Sequence, residues 1–304
     1  MSAPELVRSG STRGRGRHGD TLVVQKPRRS RQWVMGRVVT HGCILIGVVF
    51  ALFPFYWLLV MSTSTTAQIF GYPPRLIPST HLLENLRNVV TSVDLPSSLL
   101  NSFVVSGSLA VLVVLFDSLA AFAFAKFRFP GRNALFTVLL ATFLVPGNLS
   151  LVPSFILMSK LGWVGDLQAL IVPGIANAFG IFLLRQFATA SIPDELVEAA
   201  TLDGAGFFRT WWSVAIPMLR GGLAFLGIFT FVTAWNDYVW PLVVLVNPQR
   251  QTLQTALAQL NSVYTTDYGM IMAGAVVSVV PLIGIFLIGS RHFIANIAAG
   301  ALKG

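Results

Sequence analysis

Six stretches of this chain are apolar over a length that matches the hydrocarbon thickness of a bilayer, and nothing else in the sequence limits its fold so strongly. A helix needs about 20 such residues to cross. Residues 43–61, 134–158, 167–184 and 268–289 are uncharged, while 104–125 carries only Asp117 and 221–246 only Asp237. Lipid offers no partner for backbone N–H and C=O groups, so these stretches must be helices that satisfy themselves. The expected fold is an all-α membrane protein with six transmembrane helices. Composition agrees: 54% of the residues are hydrophobic and 11% charged, against about 25% charged in soluble domains. So few charges cannot clothe a soluble surface of this size. The same numbers exclude a disordered, collagen-like, coiled-coil or disulfide-scaffold chain.

The first stretch, 19 residues long, exceeds the usual core of a signal peptide, and the following STSTTAQ offers no small-x-small cleavage site. A retained span is expected. Cys43 lies inside it and cannot form an internal disulfide; it reads as a buried small residue. His18, His41, His81 and His292 share no metal-ligand spacing.

Seven of the nine net positive charges lie in residues 1–37, which hold nine Lys/Arg and two acids. A basic tail before a first span suits anionic lipid and fixes orientation, so no nucleic-acid partner is expected. Residues 1–32 read as a flexible cytoplasmic tail and 33–304 as the membrane domain. With both termini cytoplasmic, the inner segments hold 17 Lys/Arg and the outer loops only Arg75, Arg87, Lys160 and Arg250. That bias sets the topology. Tyr56, Trp57, Trp163 and Trp240 then fall near the outer surface and Trp33 near the inner one. The outer loop 62–98 is expected to hold one short helix after Pro78.

The longest inner connection, 185–220, exceeds what a connector needs. Pro193 suits a helix start, Asp194 and Glu195 suit its positive end, and Gly204 suits a left-handed cap. A second amphipathic run, 207–214, leads to Pro217. The product is helix, turn, helix beneath the membrane. Periodicity alone leaves two readings: an interfacial hairpin that caps the bundle, or a lever gripped by an outside partner.

Glu198-Ala199-Ala200, three residues, Gly204, nine residues, then Val214-Ala215-Ile216-Pro217 resembles the EAA loop of ABC importer membrane subunits, E-A-A-x3-G-x9-I-x-L-P. Val214 and Ile216 are the only departures. LLNSFVVS (99–106), AFAKFRFPGR (123–132), ANAFGIFLLRQF (176–187), WNDYVWPL (235–242) and AAGALKG (298–304) resemble the carbohydrate-uptake, maltose-permease-like branch. The resemblance covers about 35–304. It implies a type I importer permease fold with cytoplasmic coupling helices in the inner membrane. Its implied partners are a second, different permease subunit, two cytoplasmic ATPase subunits and an extracytoplasmic sugar-binding protein. It also implies that Glu198, Ala199, Ala200, Asp203, Gly204 and Pro217, within 193–217, dock on the ATPase.

The sequence has no Gly-Lys pair, hence no phosphate-cradling P-loop, and ATP and Mg belong on a partner chain. No nucleophile elbow or zinc helix suggests an enzyme. Asp117 and Asp237 are the ionisable residues within spans, where acids face protein rather than lipid. Asp237 lies about 24 Å along its span, beside Trp235, Asn236 and Tyr238. Such a group can bind sugar hydroxyls and ring faces, or it can pin helices and an outer gate. Asp117 carries no assigned role. Pro146, Gly147 and Asn148 interrupt the third stretch, as a packing kink or as a broken helix lining a path. The favoured function is a carbohydrate importer subunit. Glycerol-phosphate or another polar solute, a membrane enzyme acting on lipid-linked sugar, and an ion-coupled transporter are the alternatives.

Overall fold

The structure is a computed structural model that describes residues 31–261 and 266–301, with side chains from 35 to 261 and 266 to 289. The tail 1–30, Lys303 and the side chains of Trp33 and Arg291 lie outside the described residues. Two compact units divide at Phe53. The described part of the first is a single helix, the start of α1 (Arg31–Ser62). Every side chain from Met35 to Phe53 is exposed in this chain, Cys43 included. The expectation of a buried Cys43 is corrected for a physical reason: an apolar span can face lipid or another subunit, so apolarity does not imply burial within its own chain.

The second unit continues with α2 (Thr66–Ile69), α3 (Leu82–Ser92) and α4 (Leu95–Lys126). It then holds α5 (Arg132–Phe143), α6 (Leu151–Lys160), α7 (Gln168–Ile171) and α8 (Ala178–Ser191). The loop of interest contains α9 (Asp194–Leu202), α10 (Phe207–Thr210) and α11 (Ile216–Met218), the last two joined through a wider π-type turn over Trp211–Ala215. Then come α12 (Arg220–Trp235), α13 (Val239–Val244), α14 (Leu253–Ala258) and α15 (Tyr268–Ala301). No strand occurs among the described residues. Among the described residues, four helices are long and apolar enough to cross a membrane, or up to six if each of two bent pairs counts as one span.

α4 is the hub. Its 32 residues begin where the Asp94 side chain accepts a hydrogen bond from the Ser97 N–H at 3.2 Å, and Lys126 in the last turn suits the negative end of the helix. It packs along both α8 and α12. Among the described residues it contributes to four buried clusters: Leu95 beside Phe231 and Leu253, Val105 and Leu109 beside Leu170 and Val244, Val113 and Ala121 beside Leu184 and Leu226, and Phe122 beside Val197 and Trp211. Small Ser98, Ser102 and Ser106 on its buried face let neighbouring helices approach.

Beyond the longer α1 and α15 and the division of the third stretch into α5 and α6, boundaries differ from the hydropathy pattern in three further places. α4 starts nine residues before the predicted 104. The fourth stretch runs on to Ser191 and is interrupted between Ile171 and Ala178. The fifth, read as one helix over 221–246, breaks at 236–238. Apolar residues continue past that break, so hydropathy does not register it.

Candidate functional site

The 193–217 loop is built as a capped helix on a buried foundation. Pro193 holds the N-cap position, one residue earlier than the sequence reading put it, and the carboxylates of Asp194 and Glu195 fill the first turn. At the far end Asp203 is the C-cap, the Ala205 N–H donates to the Ala200 carbonyl at 2.9 Å and the Gly204 N–H to Thr201 at 3.0 Å. This paired closure requires a left-handed residue between them, and Gly204 has φ +75°. Val197 and Ile192 bury into a cluster with Phe122, Ala188, Trp211, Ala215 and Leu219, and the Trp211 indole N–H donates to Ser118 Oγ on α4 at 3.3 Å. The opposite face stays open: Glu198, Ala199, Asp203 and Gly204 are exposed, Ala200 is half-buried and Leu202 is 89% exposed. Phe208 and Trp212, later in the loop, are also exposed. Pro217 is exposed in α11, just before the 84° bend into α12.

The N-terminus of α9 is tied to the end of α4. Lys126 Nζ lies 2.6 Å from Asp194 Oδ1, with the lysine side chain 6% and the aspartate 76% exposed. The ammonium group holds the Asp194 carboxyl below its usual range, first through the hydrogen bond and then through its charge.

A second feature is a cavity of about 510 Å³ between α4, the α7–α8 connection, α12 and α13. Asn177, Thr230, Thr233 and Asp237 line it with polar atoms, and Phe179, Phe229 and Trp240 with rings. Its lining holds no Lys, Arg or His. Asp237 sits at the break after α12, where the backbone N–H groups of Trp240, Val239 and Tyr238 approach its carboxylate. Asn177 caps α8: its Oδ1 accepts from the Gly180 N–H at 2.8 Å. Behind it, Asp117 is fully buried and its Oδ1 accepts from the Asn177 N–H at 3.1 Å.

The four residues of the aromatic–polar group therefore separate. Asp237 lines the cavity. Trp235 is 1% exposed, packs in the cluster with Phe231 and Leu253, and donates its indole N–H to the Ser278 carbonyl at 3.1 Å. The Asn236 side chain folds back onto the Val232 carbonyl at 2.8 Å, and Tyr238 is exposed. Thr230, Thr233 and Asp237 were legible in principle: spaced i, i+3, i+7, they mark one polar face in an apolar span. Around Pro146, Gly147 and Asn148 the chain bends by 91° between α5 and the segment Gly147–Lys160.

Residues 48–295 match the family described as binding-protein-dependent transport system inner membrane component. The chain is 33% identical over 279 residues to the sn-glycerol-3-phosphate transport system permease protein UgpE of Escherichia coli O1:K1, covering 88% of this chain and 97% of the relative. It is 31% identical over 271 residues to UgpE of Yersinia enterocolitica serotype O:8, covering 86% and 95%. Among solved structures, a chain of a bacterial ABC transporter involved in import of the acidic polysaccharide alginate superposes with a TM-score of 0.75 at 24% identity, covering 88% of this chain and all of that one.

Proposed function

This chain belongs to the binding-protein-dependent transport system inner membrane component family and is a permease subunit of an ABC importer, and from that premise we propose that it carries a neutral, polyhydroxylated solute, a carbohydrate, along half of a translocation path. The cavity carries this reading. An amide, two hydroxyls and one carboxylate can exchange hydrogen bonds with sugar hydroxyls, while Phe179, Phe229 and Trp240 pack on the C–H faces. A phosphate or uronate would meet Asp237 there with no cation among the lining residues to offset it.

In this reading Asp237 is the solute-contacting acid, with Asn177, Thr230 and Thr233 beside it. Trp235, Asn236 and Tyr238 hold the break that presents it. The bend at Pro146, Gly147 and Asn148 shapes the same path. Glu198, Ala199, Ala200, Asp203, Gly204 and Pro217 form the face received by a cleft on the ATPase; the exposure of that face supports this. The two alanines permit close approach, and the Glu198 carboxylate meets a basic group or a backbone N–H. Both termini are cytoplasmic, residues 33–304 form one permease domain, and residues 1–32 form a basic tail on anionic lipid. ATP and Mg bind two separate ATPase subunits, this chain performs no chemistry, and a different permease subunit and an extracytoplasmic sugar-binding protein complete the complex.

The UgpE relatives are named for glycerol-3-phosphate, and that solute is the second reading. It requires the other permease subunit to supply the cation. The deciding experiment is capture of tagged complex from native membranes, followed by ATPase assays with its binding protein and a panel of neutral sugars, glycerol and glycerol-3-phosphate. Co-capture of an ATPase whose hydrolysis rises with a neutral sugar is expected. A rise with glycerol-3-phosphate alone refutes the carbohydrate reading, and capture without any ATPase refutes the coupling role.

A further inference from the structure

We propose that α4 is the rod that carries motion of the coupling helix α9 to the wall of the cavity, with Lys126–Asp194 as its joint at one end and Asp117–Asn177 as its joint at the other. The proposal rests on the coupling role assigned above and adds residues to which that role gives no part. Lys126 and Asp194 are 68 positions apart in sequence yet 2.6 Å apart in space. Lys126 is in the last turn of α4 and Asp194 in the first turn of α9, so each charge also sits at the helix end that favours it.

Asp194 is exposed while the Lys126 side chain is 6% exposed, so moving α9 off α4 gives up a charge-assisted hydrogen bond made on the lysine's sheltered side. Val197 of α9 and Phe122 of α4 share one buried cluster, which adds a second, apolar tie. A pull on α9 is therefore a pull on α4.

Nine residues up α4 from Lys126, about 14 Å along a helix, Asp117 holds the backbone N–H of Asn177. Asn177 both lines the cavity and starts α8. A helix packed along its length against α8 and α12 transmits axial displacement rather than absorbing it, because close-packed interiors resist compression. Displacement at the loop then reaches the polar wall through α4 and its side-chain contacts, in parallel with α8, which Ile192 and Pro193 join directly to α9. Lys126, Asp194 and Asp117 are positioning residues in this scheme.

The test uses the whole complex, with its ATPase, partner permease and binding protein, in proteoliposomes, and reads ATP hydrolysed per solute imported. Asp194→Asn keeps the size of an exposed side chain, so the fold tolerates it. It should raise the ratio several-fold, and Asp194→Glu should restore it. Lys126→Met should raise the ratio as much, and the double variant no further, because the pair acts as one unit. A wild-type ratio in Asp194→Asn overturns the proposal, as does a double variant whose ratio is the product of the two singles. If Lys126→Met fails to assemble, Asp194→Asn against Asp194→Glu decides alone. Absence of ATP-driven uptake by the unmodified complex is a different failure, that of the importer reading itself.

Discussion

Asn177 and Asp117 meet across two helices in the interior: the Asn177 backbone N–H donates to Asp117 Oδ1 at 3.1 Å while Asp117 Oδ2 points at the Cα face of Gly180. A Cβ at position 180 would collide with that oxygen and lie 3.1 Å from Leu226 Cδ1. The acid buried in α4 therefore requires a residue without a side chain in the first turn of α8.

Gly180→Ala should destabilise the assembled complex by about 1–3 kcal/mol, the usual range for overpacking. Combining it with Asp117→Ala should recover part of that loss, since the oxygen in the way is gone. Thermal denaturation of detergent-purified complex measures both. A Gly180→Ala complex as stable as the unmodified one would show that α4 and α8 separate without cost.

At Gly204 the constraint is the backbone alone. A Cβ there meets nothing within 4 Å, but φ is +75°, and for an ordinary L-residue that conformation costs about 1–2 kcal/mol. Asn tolerates the left-handed region better than Ala, and Ala better than Val. ATP-driven uptake should fall in the order Gly, Asn, Ala, Val with insertion unchanged, and Gly204→Asp should uncouple hydrolysis from uptake. Uptake independent of the residue at 204 would remove the capped turn from the coupling role.

Asp237 has two duties that substitution separates. Its carboxylate faces the backbone N–H groups that open α13, a task Asn can share and Ala cannot, the difference being about 0.5–2 kcal/mol. Asp237→Ala should lower solute flux more than assembly. Asp237→Asn should assemble normally and show a raised KM, because a neutral acceptor binds hydroxyls less strongly than a charged one. Unchanged uptake kinetics in Asp237→Asn would confine this residue to holding the helix break.

The Lys126–Asp194 pair also sets a pH window. Lys126 lowers the Asp194 carboxyl below its usual 3.8. A carboxyl lowered in the native state stabilises above its unfolded value and loses that contribution as pH falls through the native one. The difference in thermal midpoint between the unmodified complex and Asp194→Asn should stay constant from pH 8 to pH 5 and shrink only below about 3.8. A difference that shrinks already between pH 7 and pH 5 would mean that Asp194 is not held by Lys126.

What was legible beforehand is local in character. Apolar runs of bilayer length define the spans because each helix must satisfy its own backbone, whatever surrounds it. The coupling loop was legible for a similar reason: Pro193, the acids after it and Gly204 act on their own turn of chain. The interruption at 236–238 was not read, since apolar residues resume over Val239–Val244, although Asn236, Asp237 and Pro241 are local groups that disfavour a continuous helix there. Nor was it legible that Trp235 turns into the core while Asp237, two residues on, faces the cavity. Lys126 with Asp194, and Asp117 with Asn177, stand 68 and 60 positions apart. Residue order alone determined which segments are apolar enough to span and which inner loop forms a capped helix. The tertiary structure decided how those helices rotate and cross, hence which polar groups meet, because contact between distant segments depends on helix packing rather than on any periodicity within one of them.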